Sequence, residues 1–235
     1  MPRHGKKYIA QVAKIDREKK YGIDQAISLV KGVGFAKFNE SIDLAARLGV
    51  DPKHADQMVR GACLLPAGTG KDIKVLVLTK GEAVKEALDA GADYAGLEEY
   101  AEKIKAGWFE FDKVIATTDV MGVVGRLGRI LGPRGLMPSP KDGSVTQNVV
   151  AAVKESKAGK ISFKTDRTGI VHTTVGRKSF SEAQLKQNVM VLVEMLIRMK
   201  PAAAKGQYIH SLTLSPTMGP GVHIDPVEVQ NQLKK

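Results

Sequence analysis

The spacing of apolar and polar residues changes along the chain, and each change predicts an element. Through Lys20, Tyr8, Ile9, Val12 and Ile15 stand among basic residues, as in an arm or short surface helix. Ile23, Ala26, Ile27 and Val30 then recur at helical spacing, closed by Gly32 and Gly34. From Phe38 to Leu48 the period is two: Ile42, Leu44, Ala46 and Leu48 face one way, and Ser41, Asp43, Ala45 and Arg47 face the other. That is a strand with one wet face. Asp51-Pro52 opens a turn, and a second strand covers 60–65.

Beyond the joint Pro66-Ala67-Gly68-Thr69-Gly70-Lys71 the style differs. Ile73 to Leu78 is almost continuously apolar. Helices over 82–90 and 98–105, a strand over 114–117, a helical run through Met121 and Val124 toward Ile130, and a helix over 145–157 follow it. Strands apolar on both faces and alternating with helices imply a small parallel layer. After Gly159, half-wet strands return at 160–165 and 170–175. Ser181 and Gln184 form a capping box, Phe180 and Leu185 a staple, and Leu185, Val189, Leu192, Val193 and Leu196 the buried stripe of a helix that Pro201 stops. Strands at 208–215 and 222–224 end the pattern. The expectation is an α/β fold of two domains, one formed by 1–67 plus 160–235 and one, 68–159, inserted into it. The two connections carry Gly68 and Gly159, which suits a hinge.

Charge sharpens this division. The net charge is +11, yet 68–159 holds 13 basic and 13 acidic residues, leaving 23 basic and 12 acidic in the rest. The whole excess sits in the split domain, with the sign that phosphate contact needs. Membrane binding fits less well, because the cations are scattered and form no amphipathic basic helix. No run approaches transmembrane length, and the basic opening Met1-Pro2-Arg3-His4-Gly5-Lys6-Lys7 lacks the apolar block of a secretory leader. The single cysteine, Cys63, has no disulfide partner within the chain, no neighbouring cation or histidine, and reads as a buried thiol.

No catalytic set emerges. Gly68-Thr69-Gly70-Lys71 lacks the spacing of a phosphate loop and the hydroxyl after its lysine; Gly122 to Gly128 lacks dinucleotide spacing. His4, His54, His172, His210 and His223 show no ligand spacing, so neither metal nor cofactor is expected. Three arginines (Arg126, Arg129 and Arg134) stand among glycines and prolines. They form either a rigid loop offered to a polyanion or a helix end with cations near its carbonyls. The stretch Ser215-Pro216-Thr217-Met218-Gly219-Pro220-Gly221 is stiff and presents hydroxyls, either as a tight turn or as a contact surface. A cleft enzyme acting on nucleotides would need a convergent acid, base or metal cluster, and a sequence-independent DNA-compacting protein is a further alternative.

Several blocks carry a resemblance: Lys37-Phe38-Asn39-Glu40-Ser41; Val59-Arg60-Gly61 with Leu65-Pro66 and Gly68-Thr69-Gly70-Lys71; Gly125 to Pro138; Pro201 to Gly206; and Thr217-Met218-Gly219-Pro220. In order and over essentially the whole chain, these resemble the bacterial L-one family of large-subunit ribosomal proteins. The resemblance implies a split α/β sandwich domain with an inserted Rossmann-like domain and no enzymatic activity. It also implies binding, as a single copy in the ribosome, to large-subunit rRNA at the mobile stalk near the tRNA exit site. Exit-site tRNA and the chain's own mRNA leader, a mimic of the ribosomal site, would be further partners, all in the cytoplasm. Transferred residue by residue, the RNA surface would comprise Lys37, Phe38, Glu40, Asp166, Arg167, Thr168, Ser211, Thr217, Met218 and Gly219, with Arg126, Arg129 and Arg134 as weaker contacts.

Overall fold

A computed structural model describes residues 5–233. The basic start at Met1 to His4 and the end at Lys235 lie outside the described residues. In chain order the first elements are α1 (Lys6–Val12), α2 (Ile23–Val33), β1 (Ser41–Leu48), β2 (Arg60–Leu64), β3 (Val75–Leu78) and α3 (Ala83–Asp89). Then come β4 (Tyr94–Gly96), α4 (Glu98–Lys105), β5 (Lys113–Ala116), α5 (Met121–Arg126), α6 (Gly128–Leu131) and α7 (Val149–Lys157). The last are β6 (Lys160–Lys164), β7 (Ile170–Arg177), α8 (Glu182–Arg198), β8 (Ile209–Pro216), β9 (Val222–Ile224) and α9 (Pro226–Leu233). The chain folds into two compact units, Met1–Gly70 with Ile161–Lys235, and Lys71–Lys160.

The discontinuous unit is built on an antiparallel sheet in the order β7-β1-β8-β9. The alternation in β1 sends Ile42, Leu44, Ala46 and Leu48 to one face. There they meet Ile23, Ile27 and Val30 of α2 and Leu185, Val189, Leu192 and Leu196 of α8 in a single core. Burying each such aliphatic side chain contributes about 1.5–3 kcal/mol. Helix α8 starts as expected: Ser181 Oγ accepts from the Gln184 N–H at 3.3 Å, and the Ser181 N–H donates to Gln184 Oε1 at 2.9 Å. Asn188 interrupts its apolar stripe. Fully buried, it accepts from the Ala67 N–H at 3.1 Å and donates to the carbonyls of Gly68 at 3.0 Å and Val175 at 2.7 Å. It thus ties the first connection to the core of this unit.

The inserted unit has a three-stranded parallel sheet in the order β4-β3-β5. All four residues of β3 are buried. Leu76 and Leu78 join one apolar layer with Ala101 and Ile104 of α4 and Val124 of α5; Val75 and Val77 join another with Ala87 of α3 and Val153 of α7. This three-layer arrangement explains the unbroken apolar run in the sequence.

Some boundaries differ from expectation. The strand expected from Phe38 begins at Ser41, because the segment before it is held by side-chain bonds. The helix expected from Val145 begins at Val149, capped by Asn148, whose side chain accepts from the Ala151 N–H at 3.0 Å. The segment Gly91-Ala92-Asp93-Tyr94 leads into β4, and α9 follows the final strand; neither element was expected. Arg126 closes α5 and Arg129 lies within α6, so only Arg134 is in a loop, its guanidinium 3.6 Å over the Phe109 ring.

Candidate nucleic-acid interface

One face of the antiparallel sheet packs on helices; the other carries small polar residues. Strand register fixes its composition. Thr174, Asp43 and Ser215 form one row across β7, β1 and β8. His172, Ala45, Thr213 and His223 form the next, which extends to β9. Ile170, Arg47 and Ser211 form the last. Thr174 Oγ1 donates to Asp43 Oδ1 at 2.6 Å, and Thr213 Oγ1 lies 3.0 Å from His223 Nδ1. Arg47, His172 and His223 are exposed. Apart from Ser211 and Ser215 these residues came from register rather than from any motif, although the alternation along β1 already pointed Asp43 and Arg47, and that along β8 Thr213, to this side.

The residues expected to bind RNA fall at both ends of this face. At the Ser41 end, Phe38 and Met218 are 55% and 52% exposed, two large apolar side chains at one end of the face. Lys37 is exposed beside Phe38. Glu40 is not at the surface: it is 0% exposed, and its carboxylate accepts from the Ala36 N–H at 2.6 Å and the Met218 N–H at 3.2 Å. It holds the Lys37–Phe38 loop and the Thr217–Gly219 turn together, so its part is to position rather than to touch.

Thr217 is similarly engaged. Its Oγ1 accepts from the Ser41 N–H at 3.0 Å and donates to the Ser41 carbonyl at 3.3 Å, which extends the β1–β8 pairing by a side chain. Gly219 is required from within. A Cβ there would stand 2.6 Å from Pro216 Cγ and 3.1 Å from the Val33 carbonyl, so the missing side chain admits this chain's own packing rather than a ligand.

At the Leu48 end, the β6–β7 turn presents Arg167 and Thr168, both exposed. Asp166 organises it: Oδ1 accepts from the N–H groups of Thr168 and Ile170 and from Thr168 Oγ1, each at 2.8 Å. These bonds, that of Ile170 foremost, hold the Asp166 carboxyl down to about 2. Gly169 adopts φ +79, where a Cβ would meet the Val50 carbonyl at 3.0 Å. Beside the turn lies an open groove of about 750 Å3 lined by Pro52, Lys53, Met58, Lys164 and Arg167, an apolar floor with a cationic rim. Ser211 belongs to this end, opposite Arg47. Eight residues of β1 separate the two clusters, about 24 Å at the usual strand rise.

Burial pushes the Cys63 thiol up, and among the described residues no group of three or more His, Cys, Asp or Glu could hold a metal ion. Lys71 pairs with Asp112 at 2.5 Å, which holds the Asp112 carboxyl below its ordinary value. No described helix is long and apolar enough to cross a membrane.

Comparison with known proteins agrees with this architecture. The model of the Ribosomal protein L1p/L10e family matches residues 29–220. A protein of Syntrophobacter fumaroxidans named large ribosomal subunit protein uL1 is 55% identical over 230 residues, 98% of this chain and 98% of that protein. One of the same name from Desulfosudis oleivorans is 53% identical over 234 residues and covers both chains in full. The chain therefore belongs to the Ribosomal protein L1p/L10e family.

Proposed function

We propose that this chain binds large-subunit rRNA through the wet face of its antiparallel sheet and the two clusters that close its ends. Its family makes it a ribosomal structural protein and not an enzyme. One observation carries the RNA reading: the unit that holds the surplus positive charge is also the one whose sheet leaves a face uncovered. Ser211, Thr213 and Ser215 supply hydroxyls that can bond 2′-hydroxyls; Phe38 and Met218 offer apolar surface to a sugar or base; and Lys37, Arg47 and Arg167 meet phosphates. Glu40, Asp166 and Gly219 give the contact segments their shape. Arg126, Arg129 and Arg134 of the inserted unit add weaker backbone contacts.

The finer assignment follows the resemblance. The RNA is the mobile stalk beside the tRNA exit site, where the protein assists departure of deacylated tRNA. A leader of its own mRNA that imitates the stalk lets it repress its own synthesis in the cytoplasm. Gly68 and Gly159, at positive φ of 70 and 105, act as the hinge between the units.

The test is binding of the full chain to deproteinised large-subunit RNA across a salt series. Removing Lys37, Arg47 and Arg167 together should lower the slope of log K against log salt by about 3, near 1 per phosphate contact. Removing Arg126, Arg129 and Arg134 should lower it less. Equal losses, or equal competition by duplex DNA, would overturn the reading.

A further inference from the structure

The parallel sheet of the inserted unit ends in a cleft that RNA binding by the other unit does not use. The first of its strands in the chain, β3, lies in the middle, with β4 on one side and β5 on the other. The connections therefore diverge between the carboxyl ends of β3 and β5, the place where open parallel sheets receive ligands. A cleft of about 350 Å3 opens there. Thr79 and Thr117, the residues directly after β3 and β5, line it.

These two threonines are 2% and 7% exposed, and their hydroxyls lie 3.3 Å apart. One bond between two hydroxyls uses one of their two hydrogens; the second hydrogen has no protein acceptor among the described residues. Buried donors are rarely left so. An acceptor atom entering the cleft would complete the pair. Val120 and Val123 give the cleft apolar wall, against which a flat ring can lie. Asp119 and Lys80, both exposed, add a carboxylate and an ammonium; the Lys80 ammonium is 3.8 Å from Glu98, a long and solvated pair that leaves it available.

We propose that this cleft binds a single ribonucleotide. An acceptor on the base edge takes the free threonine hydrogen, the ring rests on Val120 and Val123, the ribose hydroxyls donate to Asp119, and the phosphate meets Lys80. The cleft lies in the unit with nearly balanced charge, so one anion held by one lysine suits it better than a polyanion does.

The test titrates the full isotope-labelled chain with AMP, UMP, dAMP and inorganic phosphate, and follows the amide and methyl signals of Thr79, Thr117 and Asp119. AMP or UMP should give saturable shifts there, and dAMP should bind several-fold more weakly. Replacing both threonines (T79V with T117V) removes two buried polar groups without changing shape, so the fold should persist, with a melting temperature within a few degrees. Affinity should nevertheless fall about tenfold. Asp119→Ala should remove the preference for ribose. Three results would overturn the proposal: no saturable shift at about 10 mM of either ribonucleotide, unchanged binding by the double variant, or full reproduction of the shifts by inorganic phosphate alone.

Discussion

The two sheets of this molecule solve the same packing problem in opposite ways. In β1 every second residue is buried, because helices cover only one face of the antiparallel sheet. In β3 every residue is buried, because helices cover both. A sheet covered once has a whole face to offer a large ligand. A sheet covered twice has only its strand ends, where a small ligand fits. Charge follows the same division: Lys71–Lys160 carries a net charge of +1 and the rest of the chain +10. The difference teaches that the broad surface and the narrow cleft follow from how each sheet is covered.

Introducing one charge into each sheet gives the largest contrast. Ile115 of β5 is fully buried between the helical layers, and Ile115→Glu should cost more than about 4 kcal/mol. The only tryptophan, Trp108, lies in the inserted unit and reports its unfolding by fluorescence. Ala45, at the centre of the wet face, sits between His172 and Thr213. Ala45→Glu should change stability by less than about 0.5 kcal/mol, yet weaken binding to large-subunit RNA at least tenfold. Comparable stability losses at both positions would break the distinction between the sheets.

At the Ser41 end of the face, Glu40→Ala leaves the N–H groups of Ala36 and Met218 without their acceptor, and should cost about 2–3 kcal/mol in a urea titration. RNA affinity should fall with it, although the carboxylate is out of reach of RNA. Glu40→Gln keeps an acceptor oxygen and should lose less of both. Thr217→Val comes next: it frees the Ser41 N–H and should cost about 1 kcal/mol before any RNA is added. A variant with unchanged stability but weaker binding would show instead that the hydroxyl acts on the RNA directly.

These residues also mark how far the sequence could be read. Period two in β1 and the apolar run in β3 announced the two sheet styles, because each residue's environment there repeats locally. The capping box of α8 was legible for the same reason. Glu40, Thr217 and Gly219 were named through the resemblance, but their structural roles were not legible, since their partners lie far along the chain: Met218 for Glu40, Ser41 for Thr217, Val33 for Gly219. Asn188 gave only a weak signal, a polar residue within an apolar stripe, and its partners at Ala67 and Gly68 could not be inferred from spacing. The rows across the wet face needed the register. A shift of one residue would have exchanged its hydroxyls for the core.

A further contrast separates the units by pH. Burial first, and then the neighbouring Lys160, push the Lys113 ammonium of the inserted unit from 10.5 down to about 8. Between those values the unfolded chain holds more protons than the folded one, so this contribution rises with pH across that window. Tyr208 of the split unit is the reverse case: burial pushes its phenol from 10 up to about 12. There the folded chain holds more protons, and stability falls as pH rises from 10 to 12. From pH 8 to 10 the inserted unit should therefore gain alone, followed through Trp108, and Lys113→Met should flatten that gain. The Tyr208 hydroxyl is buried without a hydrogen-bond partner, so Tyr208→Phe should reduce the alkaline loss at no cost near neutral pH, the buried Cys63 thiol of the same unit keeping a share of it. An equal alkaline response in both units, unaltered by either substitution, would show that these two groups do not set it.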